Sequence, residues 1–586
     1  MSGKMVTLTI DGKQLQVPEG TTIMDAAETL GIHIPRLCYH PDLSQAGSCR
    51  VCVVDVKDMG YYMASCSVAV WEGMEVETNS PEIREARRDI VELLLDNHPK
   101  DCQTCERDGN CELQNLAYTL GVRERLFEGE RKQFPIEDSS AAVVRNPQKC
   151  VLCGRCVRVC AEVQGVKNLS QHGRGFTTVV MPAHGVNMDD SVCIQCGQCI
   201  NVCPTGALLE QRHTDRVWQA LADPTKHVVV HTAPSIRAAI GEGFGLPPGT
   251  PCTGTMVTAL RRLGFDAVFD TNFAADLTIM EEAHEFLRRV DAGGPLPILT
   301  SCSPAWVAFL EKFYPELIPY ASTCKSPMSM MSTLLKTYYA AKEGLDPHSV
   351  FVVAVMPCVA KKFEASRPEH TDDEGEPYTD AVLTTREAIW MIKSYGIDFT
   401  ALPEGRFDLP LGMSTGAGDI FGTTGGVMEA TLRTAHRLLT GESPENVEFT
   451  TVRAVEGLRE ATVQVQDTTL RVGVANGLHN AKQLLDKATR DGEAFHIIEV
   501  MACPGGCIGG GGQPYPPAGT KVLDPELLRQ RACALYQIDS HKQLRVSCDN
   551  PAIAQLYDEF LGEPGGEKAH HLLHTHYQPR LPRGIR

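Results

Sequence analysis

The 586-residue sequence has no run of about eighteen apolar residues, so none of it reads as a membrane-spanning helix. It also lacks an apolar export segment and a twin-arginine signal near its start, where MSGKMVTLTIDGKQLQV alternates and turns instead. A cytoplasmic chain with no membrane partner is the expectation. Positive charge is scarce: 55 Lys and Arg face 73 Asp and Glu, a formal net charge of −18. Nucleic-acid binding needs a basic footprint and is excluded as a function class. What the sequence has in abundance is cysteine, 23 residues, most of them in tight clusters. Disulfides are rare in a reducing compartment, so clustered thiols there read as metal ligands. A chain of this length exceeds one core and divides into several domains.

The first segment, 1–80, begins with MVTLTI, a DG turn and KQLQV, a hairpin signal, followed by a Thr-led helix in TTIMDAAETL. That order opens a β-grasp ferredoxin domain. Cys38, Cys49, Cys52 and Cys66 follow and suit a 2Fe–2S cluster, with zinc as the rival metal. In 81–120 a helical stretch delivers His98, then Cys102, Cys105 and Cys111, an H-x3-C-x2-C-x5-C pattern. Three thiols leave a fourth position that an imidazole can fill, and His98 is read as the ligand of a 4Fe–4S cluster. In 141–212 two runs repeat one spacing: Cys150, Cys153, Cys156 and Cys160, then Cys193, Cys196, Cys199 and Cys203. In the bacterial two-cluster pattern the fourth thiol of each run serves the other cluster. Cys203 is thus expected beside Cys150, Cys153 and Cys156, and Cys160 beside Cys193, Cys196 and Cys199.

Beyond residue 213 cysteines thin out. Strand-like runs HVVVHT, LPILT and VFVVAV alternate with helical stretches, the texture of an α/β domain over 213–515. The remaining thiols there sit at segment ends: Cys302 in TSCSPAW, Cys358 in MPCVAKKFE, Cys503 and Cys507 in EVMACPGGCIGGGGQP. Dispersed thiols at strand-to-loop junctions suit a buried cofactor gathered from several segments.

In these three segments the chain resembles the FeFe hydrogenases, whose signatures read TSCCPxW, MPCxxKxxE and ExMACxxGCxxGGGxP. All three occur in order, and the N-terminal cluster domains match the long modular members of that family. The whole architecture is then multidomain α/β and α+β: a β-grasp 2Fe–2S domain, a His/Cys cluster domain, a two-cluster ferredoxin domain and an α/β domain for the H-cluster. Residues 516–586 resemble a fused small-subunit segment. The resemblance implies one 2Fe–2S cluster, three 4Fe–4S clusters and the H-cluster, a 4Fe–4S cubane bridged to a diiron unit with CO, CN− and azadithiolate. It implies cubane ligation by Cys358, Cys503 and Cys507, and a hydrogen bond from Lys361 to a cyanide. It also implies that Met356 and Met501 pack on the diiron unit and that Pro234 and Ser235 line the dithiolate. Glu282, Glu285 and Arg289 share one helix face, which alone is the pattern of a surface ion pair. The resemblance makes them a proton relay that reaches Cys302 through Ser322. The implied partners are an FMN- and NAD(P)-binding iron–sulfur subunit and a small 2Fe–2S subunit, with ferredoxin a further candidate; H2 and protons are the substrates. The glycine-rich run STGAGDIFGTTGGVMEA is G-x-G-x3-G and does not read as a dinucleotide loop.

One position departs from the pattern. Ser303 stands where the family has its second thiol, so a cubane ligand is missing. Iron–sulfur irons prefer thiolates. Cys324 in ASTCKSP is read as the replacement, with Cys302 keeping its proton role; the alternative moves Cys302 onto the cubane. Respiratory NADH and formate dehydrogenases share the N-terminal third but not the three signatures. Hydrogenase-like iron–sulfur assembly proteins lack the diiron unit, which the intact MACPGGC, Lys361 and Cys302 favour here.

Overall fold

The computed structural model describes residues 4–123, 127, 129–442, 447–453, 457–465, 468–490, 494–516, 521 and 523–580. The outermost residues of the first and last expected segments, 1–3 and 581–586, lie outside that set. The predicted hairpin forms: strands Met5–Ile10 and Lys13–Pro18 pair antiparallel, Leu8 opposite Leu15. Asp11 and Gly12 take the positive φ angles that a two-residue hairpin loop requires. The helix Ile23–Thr29 starts at Thr22, whose side chain accepts from the Asp25 amide. With Val53–Val56, Met63–Ala64 and Met74–Glu77 the hairpin completes a five-stranded mixed sheet. Its buried face carries Leu8, Ile10, Ile23 and Val54 together with Cys38, Cys52 and Cys66.

The α/β part contains two four-stranded sheets. The first is parallel, in the order Ala267–Asp270, His227–Thr232, Val350–Met356, Ala381–Thr384. Its strands are apolar on both faces, as parallel strands covered by helices must be. The second runs Ile298–Leu299, Ile497–Met501, Thr468–Asn476, Leu458–Val465, with only the last pair antiparallel. Chain leaving the carboxyl ends of these strands carries Pro234, Cys302, Cys358 and Cys503. Ligand sites in α/β sheets gather at those ends, so the fold brings four separate segments to one place.

The helix Thr271–Asp291 lies between the two sheets and is buried over most of its length. Asp270 caps it, accepting from the Asn272 amide, and also pairs with the buried Arg237 at 2.6 Å. Among the described residues the C-terminal segment forms no core of its own. Its helices Pro551–Leu556 and Glu567–Leu573 place Ile553, Leu556, Leu572 and Leu573 in one apolar cluster with Phe273, Leu277 and Met330 of the catalytic part.

Candidate active site and electron path

The four thiols of the β-grasp domain converge. Cys38 donates its backbone N–H to the Cys49 sulfur at 3.4 Å, and Cys66 is in side-chain contact with both Cys38 and Cys52. In the next segment His98 is buried, Cys111 is buried and Cys102 is exposed. Lys149 reaches the Cys105 sulfur at 3.2 Å, tying this segment to the ferredoxin part. There the chain forms two apolar cavities. One is lined by Cys150, Cys153, Cys156 and Cys203. The other is lined by Cys160, Cys193, Cys196 and Cys199. The structure therefore exchanges the fourth thiol between runs as the spacing requires. Burial pushes Cys150 and Cys193 up to about 11 and Cys153 up to about 12. Thiolates in such surroundings need a cation, which is the condition that iron–sulfur clusters meet.

The second cavity abuts the glycine-rich loop of the catalytic part. Gln198 donates to the Gly509 carbonyl at 3.0 Å, and Asn201 to that of Gly510 at 3.3 Å. A Cβ on Gly511 would collide with the Cys196 carbonyl oxygen, so only glycine lets these two backbones touch.

On the far side of that loop a third cavity is lined by Cys302, Cys358, Cys503 and Cys507, by Pro234, Met356, Met501 and Phe421, and by Lys361. Cys358, Cys503 and Cys507, from two loops of this apolar chamber, fit a cubane. The Lys361 ammonium on the same wall fits an anionic ligand; it donates to Ser326 at 2.6 Å and the Cys302 carbonyl at 3.3 Å, and pairs with Glu364 at 2.6 Å. Two of the expected residues lie outside the chamber wall. Ser235 does not line the chamber; it is buried behind Pro234, where Gln513 reaches its hydroxyl at 3.4 Å. Cys324 does not line it either. Its thiol is turned to the Glu285 carboxylate, 3.7 Å away, because the loop after Ser322 is pinned by Ser322 and Thr323 to that carboxylate. Ser303 does line the chamber, accepting from the Ala502 amide at 3.4 Å beside Cys503. Thr271 and Phe421 also face it without having been singled out. A strand-end position marks Thr271, and the glycine-rich run marks Phe421.

The residues expected to relay protons are brought together. Cys302 packs against the apolar cluster that holds Ile279, Phe421 and Met501, with the Glu282 carboxyl near enough to raise its thiol further after burial has done so. Ser322 donates to Glu285 at 2.8 Å and stands close enough to Glu282 to favour the charged form of that carboxyl. Arg289 pairs with Glu285 at 2.5 Å and donates to the Tyr320 and Ala321 carbonyls. Burial, with Glu285 beside it, pushes Glu282 up to about 8.

Residues 226–511 match the family model of the iron-only hydrogenase large subunit, C-terminal domain, and 525–580 that of the iron hydrogenase small subunit. Residues 3–81 match a 2Fe–2S cluster binding domain, 87–125 the iron–sulfur binding region of NADH-ubiquinone oxidoreductase G, and 149–207 a 4Fe–4S dicluster domain. The chain is 52% identical to the NADP-reducing hydrogenase subunit HndD of Solidesulfovibrio fructosivorans, over 98% of this chain and 99% of that one. It is 42% identical to iron hydrogenase 1 of Clostridium pasteurianum, over 98% and 100%. A cytosolic iron–sulfur assembly component of Mus musculus is 34% identical over 60% of this chain and 74% of its own length. An apo FeFe hydrogenase variant from Chlamydomonas reinhardtii superposes with a TM-score of 0.55 at 44% identity, over 63% of this chain and 99% of that structure. The chain belongs to the FeFe, or iron-only, hydrogenase family, enzymes that interconvert H2 with protons and electrons at the H-cluster, and it carries iron–sulfur domains ahead of the catalytic one.

Proposed function

We propose that this chain is the catalytic subunit of a cytoplasmic NAD(P)-linked hydrogenase complex, moving protons and electrons along two separate routes that meet at one chamber. The observation that carries this reading is the continuity of both routes. Cysteine cavities lead to Cys503 across the Gln198–Gly509 contact, and a hydrogen-bonded file leads from Arg289 toward Cys302. When bound, the H-cluster supplies the metal and the basic amine that split or assemble H2. Cys358, Cys503 and Cys507 would hold its cubane, and Ser303, on losing its hydroxyl proton, would offer an oxygen for the corner that lacks a thiol. Lys361, steadied by Glu364, would donate to an anionic ligand of the cluster, while Pro234, Met356 and Met501 would exclude water around it. The Cys302 thiol holds the proton next to the chamber and exchanges it with the Glu282 carboxyl, which passes it through the Ser322 hydroxyl to Glu285. General acid–base steps of this kind are worth ~10²–10⁴ in rate.

The electron route passes from the chamber to the ferredoxin cavities, to the His98 cluster and to the 2Fe–2S domain. The similarity to a subunit of an NADP-reducing hydrogenase supports the presence of further subunits; our reading makes them an FMN- and NAD(P)-binding iron–sulfur subunit and a small 2Fe–2S subunit, with ferredoxin as a further acceptor. The test is purification of the native complex and assay of H2-dependent reduction of NADP+, NAD+ and ferredoxin. The loaded chain should hold about 20 irons, and it should reduce artificial dyes alone but NAD(P)+ only with its partners. NAD(P)+ reduction by the isolated chain would overturn the partner assignment.

A further inference from the structure

Glu285 has a second set of neighbours. One of its carboxylate oxygens, the Cys324 thiol and a ring nitrogen of His574 lie within 4.8 Å of one another, and all three residues are buried. They come from three elements: the helix Thr271–Asp291, the loop before the helix Pro327–Leu334, and the chain just past the helix Glu567–Leu573. Carboxylate, thiol and imidazole together are a donor set for a borderline-soft divalent cation, and three protein ligands leave a fourth position for water.

The surroundings are those of a ligand histidine. Nε2 of His574 lies 3.0 Å from Glu281, whose carboxylate is itself held by the Tyr557 hydroxyl at 2.5 Å and the Gly565 amide at 2.7 Å. A carboxylate that fixes the far nitrogen of an imidazole is the usual outer support of a metal-bound histidine. The near nitrogen, Nδ1, meets the Thr323 hydroxyl at 2.8 Å and no other polar side chain among the described residues. Exposed imidazoles lead inward: the His570 ring stacks on His574 at 4.7 Å, and His576 stands 6.4 Å from His570. The two oxygens of Glu285 divide their partners. Arg289 takes Oε1, while Oε2 receives Ser322 and faces the Cys324 sulfur.

We propose that Glu285, Cys324 and His574 form a regulatory site for a zinc-class divalent cation, and that an ion there displaces Ser322 from Oε2 and interrupts proton transfer. The site stands on geometry alone; its effect on turnover rests on the relay reading above. Binding forms metal bonds to sulfur, oxygen and nitrogen, and the Cys324 thiol proton leaves to solvent.

The test uses the holoenzyme, freed of loose metal by a chelator and titrated with zinc chloride. One zinc per chain should survive desalting, and H2 evolution should fall with it and return on chelation, while the CO and CN− infrared bands stay in place. Cobalt(II) in place of zinc should give a sulfur-to-metal charge-transfer band. Cys324→Ala and Cys324→Ser should keep iron content and basal H2 evolution, lose that band, and weaken zinc inhibition by roughly 10–100-fold. Zinc that binds and inhibits the Cys324 variants as it does the native enzyme would place the ion on the surface histidines and overturn the site. Zinc that binds with the cobalt band present but leaves turnover unchanged would uphold the site and overturn the proposed interruption.

Discussion

Glu282 sits where a charged carboxylate is poorly tolerated: it is buried, and Glu285 lies beside it, so the group keeps its proton up to about pH 8. A carboxyl poised there can both give and take a proton at neutral pH. Because its charged form is the disfavoured one, the neutral acid prevails below about 8 and is lost above it. H2 evolution by the native enzyme should decline as pH climbs through that value. Glu282→Gln should leave the infrared CO and CN− bands intact, reduce turnover ~10²–10⁴-fold, and abolish the inflection on what remains. A near-native rate in that variant would remove Glu282 from the route. Ser303 and Cys302 make a second pair of residue-level predictions. Ser303→Cys should retain a full cubane and raise its potential, since a thiolate replaces a harder oxygen ligand. Cys302→Ala should keep the cubane iron and lose turnover; loss of that iron would instead put Cys302 on the cluster. The sequence led to Cys324 for this corner because it is a thiol two positions from Ser322. Which way a loop turns its side chain is not written in spacing. Here Glu285 decides it by accepting from Ser322 and Thr323, the two residues just before Cys324.

At the scale of elements, the C-terminal segment is held to the catalytic part by more than apolar contact. Arg531, on the helix Pro525–His541, pairs with Glu242 through two bonds of 2.7 Å, both side chains being buried, and also donates to the Ile508 carbonyl next to Cys507. Removing one partner strands the other charge in the interior. Arg531→Ala should therefore cost about 3–5 kcal/mol of stability, measured by denaturant unfolding of the holoenzyme. The double change Arg531→Met with Glu242→Leu should recover much of that loss. An Arg531→Ala variant as stable as the native chain would mean that water already screens the pair. The elements themselves were largely legible: the Met5–Ile10 hairpin from its DG turn, and the parallel strands from runs such as HVVVHT. The close union of the last segment with the helix Thr271–Asp291 was not, because burial of Ile553 or Leu573 against a distant helix leaves no local periodic mark.

At the scale of the molecule, electrons and chemistry meet where Cys196–Gly197 touches the Gly510–Gly512 loop. Gly197 has φ +73°, and a Cβ there would lie 2.7 Å from Val359. Gly197→Ala should push the ferredoxin part away from the catalytic loop. Dye- or partner-linked H2 oxidation should then slow strongly, while exchange between H2 and deuterated water, which needs no net electron flow, persists. Equal loss of both activities would mean that the substitution damages the chamber itself and leaves no separate electron contact to test.

The cysteine spacings by themselves determined which thiols share each ferredoxin cavity, since a short loop can wrap a cluster in few ways and the repeat prescribes the exchange of Cys160 and Cys203. The catalytic segments were legible only through resemblance, because the runs that hold Cys358, Cys503 and Cys507 match the family signatures in order. Only the tertiary structure decided that Ser235 lies behind the chamber wall, that Ser303 faces into it, and that Cys324 joins Glu285 and His574. Those placements depend on side-chain direction and on contacts between residues hundreds of positions apart, and a linear pattern carries neither until the sheets and the helix between them have packed.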